Sequence, residues 1–158
     1  AGGSAPKHVQ QLVEQNHLRW DSLGEFCALA ESLRFLGEST GNTKATVLGD
    51  AADVAIIKLL AEGKSPGRKV GQPDNRDSHY YFAMYWAEAL AAQTEAADLA
   101  SEFAGLAKAL TDNADAITAE LMAGRGEAVD LGGYFNTDAA KVAAIMRPSA
   151  TLNALIDA

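Results

Sequence analysis

Residues able to bind an anion stand at the very start of the chain, in the sequence AGGSAPKHVQQ. Gly2 and Gly3 let a ligand approach the backbone closely, and the free N–H groups at a helix start attract negative charge. Lys7 and His8 fall in the first turn of the predicted helix, where the helix dipole disfavours cations unless an anion is bound. The same pattern also fits an ordinary helix start whose charges face water. It therefore allows an anion site without requiring one.

A second group of suitable residues follows just past this helix, where Arg19, Trp20 and Asp21 are consecutive. A guanidinium can clamp a phosphate with two hydrogen bonds, and an aromatic ring can stack on a purine. A carboxylate can accept hydrogen bonds from a ribose or a base. Arg68 and Lys69 add two cations in the segment KSPGRKVG. The alternatives are a core side chain for Trp20, a helix cap for Asp21 and a solvated surface loop for KSPGRKVG.

Other catalytic signatures are absent from the sequence. It contains no HExxH, no cysteine pair, no GxSxG and no GxxxxGK(S/T), the motifs of zinc proteases, zinc ribbons, serine hydrolases and P-loop proteins. His17 and His79 have no partners at metal-ligand spacing and are predicted to be structural. The single cysteine, Cys27, excludes an internal disulfide, fits a reducing compartment and is predicted to be buried. We therefore assign no catalytic or metal-binding residue.

The charge of the chain is unevenly distributed. The 158 residues carry a net charge of −8, yet residues 1–76 are balanced and residues 77–146 carry eleven acidic against three basic side chains. An acidic chain disfavours non-specific binding to nucleic acids or anionic membranes, because both require a basic surface. No apolar run is long enough to span a bilayer. The neutral half can still hold a small phosphate-bearing ligand.

Helical periodicity predicts a single all-α domain over residues 1–158, with about seven or eight helices and two Gly/Pro-rich loops. The predicted helix starts are a Ser4 cap before Ala5, a Ser22–Glu25 capping box, Asn42–Thr43, Thr137 or Asp138, and a short helix after Pro148. The second helix is predicted to reach about Glu38. Its buried residues are predicted to be Phe26, Ala30, Leu33 and either Leu36 or Phe35. Those of the third helix, which Gly63 ends, are Leu48, Ala52, Ala55, Ile56 and Leu59.

Two loops separate the remaining helices. The first, GKSPGRKVGQPDNRDS, covers residues 63–78 and precedes an aromatic helix that begins at His79. The inward residues of that helix are predicted to be Phe82, Tyr85, Trp86, Ala89 and Leu90. Two further helices are predicted over residues 96–111 and 113–123. The second loop, GRGEAVDLGGYFN, is predicted to contain a short extended piece at 129–131.

Six segments resemble, in order, those of one family: GGSAPKHVQQ, NHLRWDSLGEF, KSPGRKVG, DNRDSHYYFAMYWAEALAAQT, VDLGGYF and MRPSATLNA. They are similar to the C-terminal part of the monomeric-type NADP-dependent isocitrate dehydrogenases of bacteria. The resemblance covers essentially the whole chain but only the last fifth or so of a family member, which is a longer two-domain α/β enzyme. It implies that this all-α segment is the C-terminal coenzyme-binding portion of such an enzyme.

The resemblance also implies a set of coenzyme-binding residues. They are Ser4, Lys7 and His8 from SAPKH, Arg19, Trp20 and Asp21 from RWD, and Arg68 from SPGR. In the family the basic members of this set surround the 2′-phosphate of NADP, the group that distinguishes NADP from NAD. A doubly charged phosphate calls for several converging cationic donors, which agrees with the chemistry available at the opening.

The family oxidatively decarboxylates isocitrate to 2-oxoglutarate and CO₂, and reduces NADP⁺ with the help of Mg²⁺ or Mn²⁺. Its isocitrate-binding, metal-binding and catalytic residues precede the part that this chain resembles, so the chain alone is expected to be inactive. Because it starts at Ala1 without an initiator Met, we expect a fragment that docks against the remainder of its own chain in a monomeric, cytoplasmic enzyme. The alternative is a stand-alone helical interaction module that kept the fold without the chemistry. Such a module would bury its docking surface by self-association or against another protein.

One position departs from the family pattern. Asp77 stands where the family sequence DNRGSHFY has a glycine. If that glycine requires a positive φ, the backbone before the aromatic helix is strained at Asp77.

Overall fold

The structure, a computed structural model, describes residues 5–157 and contains eight α-helices in that range. The helices are α1 (Ala5–Gln15), α2 (Leu23–Thr40), α3 (Thr43–Ala61), α4 (Asn75–Ala92), α5 (Ala97–Asp112), α6 (Ala114–Met122), α7 (Ala139–Met146) and α8 (Ala150–Ile156). No strand occurs in the described residues, so the predicted all-α class is confirmed and the extended piece at 129–131 is not a strand. None of these helices has the length and apolar character needed to cross a membrane.

Several helix starts follow from their local sequence. The side chain of Asn42 accepts the backbone N–H of Ala45 at 3.3 Å, and that of Asp138 accepts the backbone N–H of Lys141 at 3.0 Å. The predicted helix start at Asn42–Thr43 is confirmed, and of the two alternatives Thr137 and Asp138 it is Asp138 that caps α7. Each side chain satisfies a donor that the first helical turn leaves unpaired. Gly63 follows α3 with a φ of +64°, a conformation that glycine adopts without strain.

The predicted capping box at the start of α2 is wrong. Ser22 precedes the helix but makes no side-chain capping hydrogen bond. The carboxylate of Asp21 accepts the Leu23 N–H instead, at 3.0 Å, so the neighbouring side chain supplies the acceptor. The predicted Ser4 cap of α1 lies outside the described residues.

Contacts divide the described chain into two compact units. The first comprises residues 5–20, 66–77 and 113–157, and the second comprises Asp21–Ser65 and Ser78–Asp112. Helix α4 contributes its first three residues to the first unit and the rest to the second. This division does not test the expected single domain over residues 1–158, which stays a prediction.

In the second unit, α2 packs closely on α3 because glycines lie at their contact. A Cβ atom on Gly49 would lie 2.7 Å from the Ala30 carbonyl oxygen, and one on Gly37 would lie 2.1 Å from Thr46 Oγ1. Gly37 rather than Leu36 therefore occupies the contact, and Leu36 stays exposed. The expectation of a buried Leu36 or Phe35 is wrong.

Most of the other inward residues on α2 and α3 agree with their helical spacing. The confirmed buried residues are Phe26, Ala30, Ala52, Ala55, Ile56 and Leu59. Leu33 and Leu48 are half-buried. Cys27 is exposed, so its predicted burial is wrong. It lies one residue past Phe26, on a different side of α2.

Helix α4 supplies the aromatic core of the second unit. Phe82 stacks on Phe26 with ring centroids 4.1 Å apart, and Trp86 donates to the Leu48 carbonyl at 2.9 Å. The helix begins at Asn75, four residues before the predicted start at His79. The first predicted loop therefore extends too far, since its last residues DNRDS belong to or adjoin the helix.

Those early residues carry a buried cluster of charges in the first unit. Asp74, Arg76, Asp77 and Arg125 each expose at most 4 % of their side chains. Arg76 binds Asp74 at 2.7 Å, and Arg125 binds Asp74 at 3.0 Å and Asp77 at 2.9 Å. Two cations thus balance two anions, the condition under which buried ions are tolerated.

The cluster also holds distant backbone segments. Arg76 donates to the Asn16 carbonyl at 2.8 Å, to Asn16 Oδ1 at 2.9 Å and to the Ile145 carbonyl at 2.8 Å. It therefore joins the ends of α1 and α7. Asn16 is the one residue other than glycine with a positive φ in the described range, and asparagine tolerates that conformation better than most residues.

The structure contradicts the expected strain at Asp77. Asp77 lies within α4, and its φ is not positive. Its carboxylate accepts the Asp74 backbone N–H at 2.7 Å in addition to its pairing with Arg125. The aspartate is an integral partner in the cluster, so replacing it would remove interactions rather than relieve strain.

We therefore expect Asp77→Gly to destabilise the chain. The change leaves Arg125 with one buried carboxylate partner fewer and should lower the free energy of unfolding in urea by about 3 kcal/mol. Asp115→Gly is the matched control, because Asp115 is an exposed acid in the first turn of α6. It should cost only about 1 kcal/mol, the usual penalty for glycine in a helix. Equal losses in both variants would contradict the assigned role of Asp77.

The pKa of Asp74 predicts how the chain responds to acid. Burial raises the pKa of this carboxyl, but hydrogen bonds from Arg76 and Leu18 and the charges of Arg76 and Arg125 hold it below its ordinary value of 3.8. Below that ordinary value the unfolded chain binds a proton that the folded chain does not, so stability present above it is lost as pH falls. We expect the Asp74 carboxyl carbon, followed by NMR, to titrate below 3.8. We also expect urea stability to fall over the same range. A titration midpoint at or above the ordinary value would contradict this.

Candidate anion-binding site

One face of α1 lines an open groove of about 400 Å³ in the first unit. The residues that line it are Lys7, Gln10, Gln11, Glu14, Gln15 and Arg19. The α1 members are three or four residues apart, so they share one side of the helix. Two cations and one carboxylate, that of Glu14, thus face the groove. Its lining is polar and carries a net positive charge.

The segment after α1 is fastened to the start of α4. The Leu18 N–H donates to the Asp74 carboxylate at 3.0 Å, and the Leu18 carbonyl accepts the Asn75 N–H at 2.8 Å. The Asn75 side chain then donates to the Trp20 carbonyl at 2.9 Å. These bonds fall on both sides of Arg19 and fix its backbone.

The Arg19 side chain is half-buried, and its Nε is fully buried without a hydrogen-bond partner among residues 5–157. A buried donor without an acceptor is costly and therefore uncommon. Residues 5–157 thus supply no acceptor for this atom.

His8 and Trp20, both in the first unit, are in contact with each other. Their ring centroids are 5.4 Å apart and the planes are inclined by 75°, an edge-to-face arrangement. Both residues are half-buried. Trp20 is therefore more exposed than expected from the alternative interpretation, in which it is a core side chain.

Arg68 belongs to a loop that is tied to α1. Within the loop, the Gly67 N–H donates to the Pro73 carbonyl at 2.8 Å and the Lys69 N–H to Gln72 Oε1 at 3.0 Å. The Arg68 carbonyl accepts a hydrogen bond from Gln11 Nε2 at 3.0 Å. Because Gln11 lines the groove, the Arg68 backbone lies at its border, with an exposed side chain.

The lysines and arginines of this region differ from most others in the chain in that they form no ion pairs with the described carboxylates. Eight of the thirteen lysines and arginines pair with carboxylates of the described residues. Five have no carboxylate partner within residues 5–157: Lys7, Arg19, Lys64, Arg68 and Lys69. Lys64 instead lies over the Tyr81 ring, 4.4 Å from its centroid. The other four are all members of the groove or of the loop beside it.

Two of the predicted site residues need separate mention. Asp21 belongs to the second unit, where its carboxylate serves as the acceptor at the start of α2. Ser4 lies outside the described residues. No group of three or more His, Cys, Asp or Glu side chains that could hold a metal ion occurs within residues 5–157.

The sequence did not reveal the residues that hold the site in place. Gln11, Asp74 and Asn75 carry no recognisable ligand motif, although Pro-Asp before a helix was an available signal for a cap at Asp74. His17 was predicted to be structural, and this is confirmed. Its ring is fully buried, and Nε2 lies 2.9 Å from the Gly67 carbonyl oxygen.

Comparison with known proteins identifies relatives along the whole chain. The chain is 60 % identical over 158 residues to the isocitrate dehydrogenase (NADP) of Corynebacterium glutamicum. It is 57 % identical over 158 residues to isocitrate dehydrogenase (NADP) 2 of Mycobacterium tuberculosis and 56 % over 156 residues to the isocitrate dehydrogenase (NADP) of Azotobacter vinelandii. These alignments cover 99–100 % of this chain but 21 % of each relative.

The chain therefore spans about a fifth of the length of these relatives. The sequence profile of one family, monomeric isocitrate dehydrogenase, matches residues 1–157. A match over nearly the whole chain, together with identities above one half, establishes the relationship: the chain belongs to the monomeric isocitrate dehydrogenase family.

Proposed function

We propose that this chain binds NADP and recognises the 2′-phosphate of its adenosine. Lys7, Arg19 and Arg68 would supply the cationic donors, with His8 and Trp20 beside them. Ser4 and Asp21 complete the coenzyme-binding set that the family resemblance implies. The names of the relatives specify NADP, which makes this coenzyme the ligand of choice for an anion site in the chain.

The grouping of unpaired cations is the observation that carries this proposal. The chain has twenty-one acidic residues, yet none of those described pairs with the four cations around the groove. A phosphate monoester carries a charge between about −1.5 and −2 and offers several strong acceptors. It would offset the unfavourable position of Lys7 at a helix N-terminus.

We extend the proposal to the intact enzyme. A chain of the relatives' length would oxidise and decarboxylate isocitrate to 2-oxoglutarate and CO₂, with NADP⁺ as oxidant and Mg²⁺ or Mn²⁺ as the metal. The described residues do not fit a metal site, so no step of that reaction is assigned to them. The chain by itself would contribute coenzyme recognition and no turnover.

The coenzyme proposal is tested by calorimetric titration of the chain with NADP⁺ and NAD⁺ side by side. We expect NADP⁺ to bind more tightly, and its affinity to fall as salt is raised. Arg19→Ala and Arg68→Ala should each weaken NADP⁺ binding by about tenfold and leave NAD⁺ binding nearly unchanged, because only NADP⁺ carries the 2′-phosphate.

Lys108→Ala is the control for these two variants. Lys108 is an exposed lysine paired with Asp112 on α5, so removing it changes the net charge without touching the groove. The proposal fails if NADP⁺ and NAD⁺ bind equally, if neither binds, or if Lys108→Ala weakens NADP⁺ as much as Arg19→Ala does.

The second unit carries an apolar surface that a docking partner would cover. The exposed large apolar side chains on α2 and α3 are Leu29, Phe35, Leu36, Val54, Ile57 and Leu60. Ile57 is 67 % exposed and Phe35 is 71 % exposed, values unusual for such side chains on a solvated helix pair. We take the remainder of the family-length chain as the partner, and self-association as the alternative.

Ile57→Lys distinguishes these two arrangements. In the 158-residue chain the change should alter urea stability by less than about 0.5 kcal/mol, because the side chain is exposed. In a chain of the relatives' length it should cost about 2 kcal/mol, because docking would bury the new charge. Equal effects in both would contradict docking. Sedimentation that shows a dimer of the wild-type chain and a monomer of the variant would favour the self-associating module.

A further inference from the structure

His17 holds the loop that carries Arg68, although it has no place in the proposed ligand contacts. The ring lies directly after α1 and is fully buried. Its Nε2 is 2.9 Å from the Gly67 carbonyl oxygen. A carbonyl oxygen can only accept, so Nε2 carries the hydrogen and donates it. The other ring nitrogen, Nδ1, has no hydrogen-bond partner within residues 5–157.

A side chain from α1 binds the next residue of the same loop. Gln11 Nε2 donates to the Arg68 carbonyl at 3.0 Å. Two consecutive carbonyls, those of Gly67 and Arg68, are therefore held, one by the segment after α1 and one by α1 itself. These carbonyls lie on either side of the Arg68 Cα, so the two hydrogen bonds restrict its position.

The loop is too tightly closed to compensate by moving elsewhere. A Cβ atom on Gly67 would lie 2.5 Å from Gln72 Oε1, so the two sides of the loop are in contact. Gln72 and Lys69 close a turn through the Gln72 N–H, which donates to the Lys69 carbonyl at 3.1 Å. The two sides of the loop are therefore linked to each other, and the hydrogen bonds from Gln11 and His17 attach the Gly67–Arg68 side to α1 and the segment after it.

We infer that His17 is a positioning residue for coenzyme discrimination. This inference rests on the proposed NADP site. By holding the Gly67 carbonyl it places Arg68 at the border of the groove that contains Lys7 and Arg19. A guanidinium must stand at a fixed distance and angle to clamp a phosphate, so releasing the loop weakens that contact. His17 itself touches neither the 2′-phosphate nor the reacting atoms.

The test compares His17→Leu, which removes the donor, with His17→Gln, which keeps an N–H donor of similar reach. Limited trypsin digestion reports the loop directly, because Arg68 and Lys69 are exposed cleavage sites within it. Lys141 on α7, in the same unit, is the reference for general unfolding. In His17→Leu we expect cleavage at the loop to rise about tenfold, the effect of one lost hydrogen bond, with little change at Lys141. His17→Gln should stay close to the wild type.

The second readout is the ratio of NADP⁺ to NAD⁺ affinity. It should fall about tenfold in His17→Leu and recover in His17→Gln. Unchanged loop cleavage in His17→Leu overturns the positioning role, and so does an equal rise at Lys141. A wild-type chain that does not discriminate the coenzymes overturns the proposed function and the ligand half of this inference. The cleavage result still decides whether His17 holds the loop.

Discussion

The first unit depends on the ion pairs that balance the negative charge of the fully buried Asp74 carboxylate. An unpaired buried ion costs several kcal/mol, so each of the four charged members of the cluster requires the others. Arg76 and Arg125 reach Asp74 from positions that are 49 residues apart in sequence, and both must be present for the burial to be tolerable. The unit therefore forms only when its separate chain segments have come together. This is a strong constraint on which compact arrangement the sequence accepts.

The same constraint prepares the candidate site. Asp74 accepts the Leu18 N–H with the carboxylate that binds Arg76, so the segment carrying Arg19 is attached to the buried ion cluster. Arg76 in turn holds both the carbonyl and the side chain of Asn16, where α1 ends with an unusual backbone angle. A ligand that binds such a segment does not have to order it. The conformational entropy lost on binding is therefore smaller, which favours affinity.

The limits of the sequence can be seen in individual residues. The helix starts at Asn42–Thr43 and at Thr137 or Asp138 were predictable because a capping side chain acts on a donor only three residues away. The burial of Phe35 or Leu36 was not, because helical spacing defines a face but not which neighbour packs there, and Gly37 decides this on α2. The ion cluster was hidden because DNRDS follows a Gly/Pro-rich loop and reads as solvated, while Arg125 lies far along the chain. For the site, the cations followed from their types and the family resemblance. The contacts of Gln11 and His17 with the loop that carries Arg68 are defined only by the fold.

The groove and the loop beside it carry an excess of positive charge, which is the basis of the proposed anion site. Lys7 and Arg19 line the groove, Arg68 and Lys69 lie in the loop beside it, and Glu14 is the one acid among the lining residues, which leaves an excess of three positive charges. A phosphate monoester of about −2 would offset most of that excess, whereas a neutral ribose hydroxyl would offset none of it. A protein that pairs eight of its cations with carboxylates thus leaves four around the groove without a carboxylate partner among residues 5–157, and the 2′-phosphate contact that we propose needs such cations.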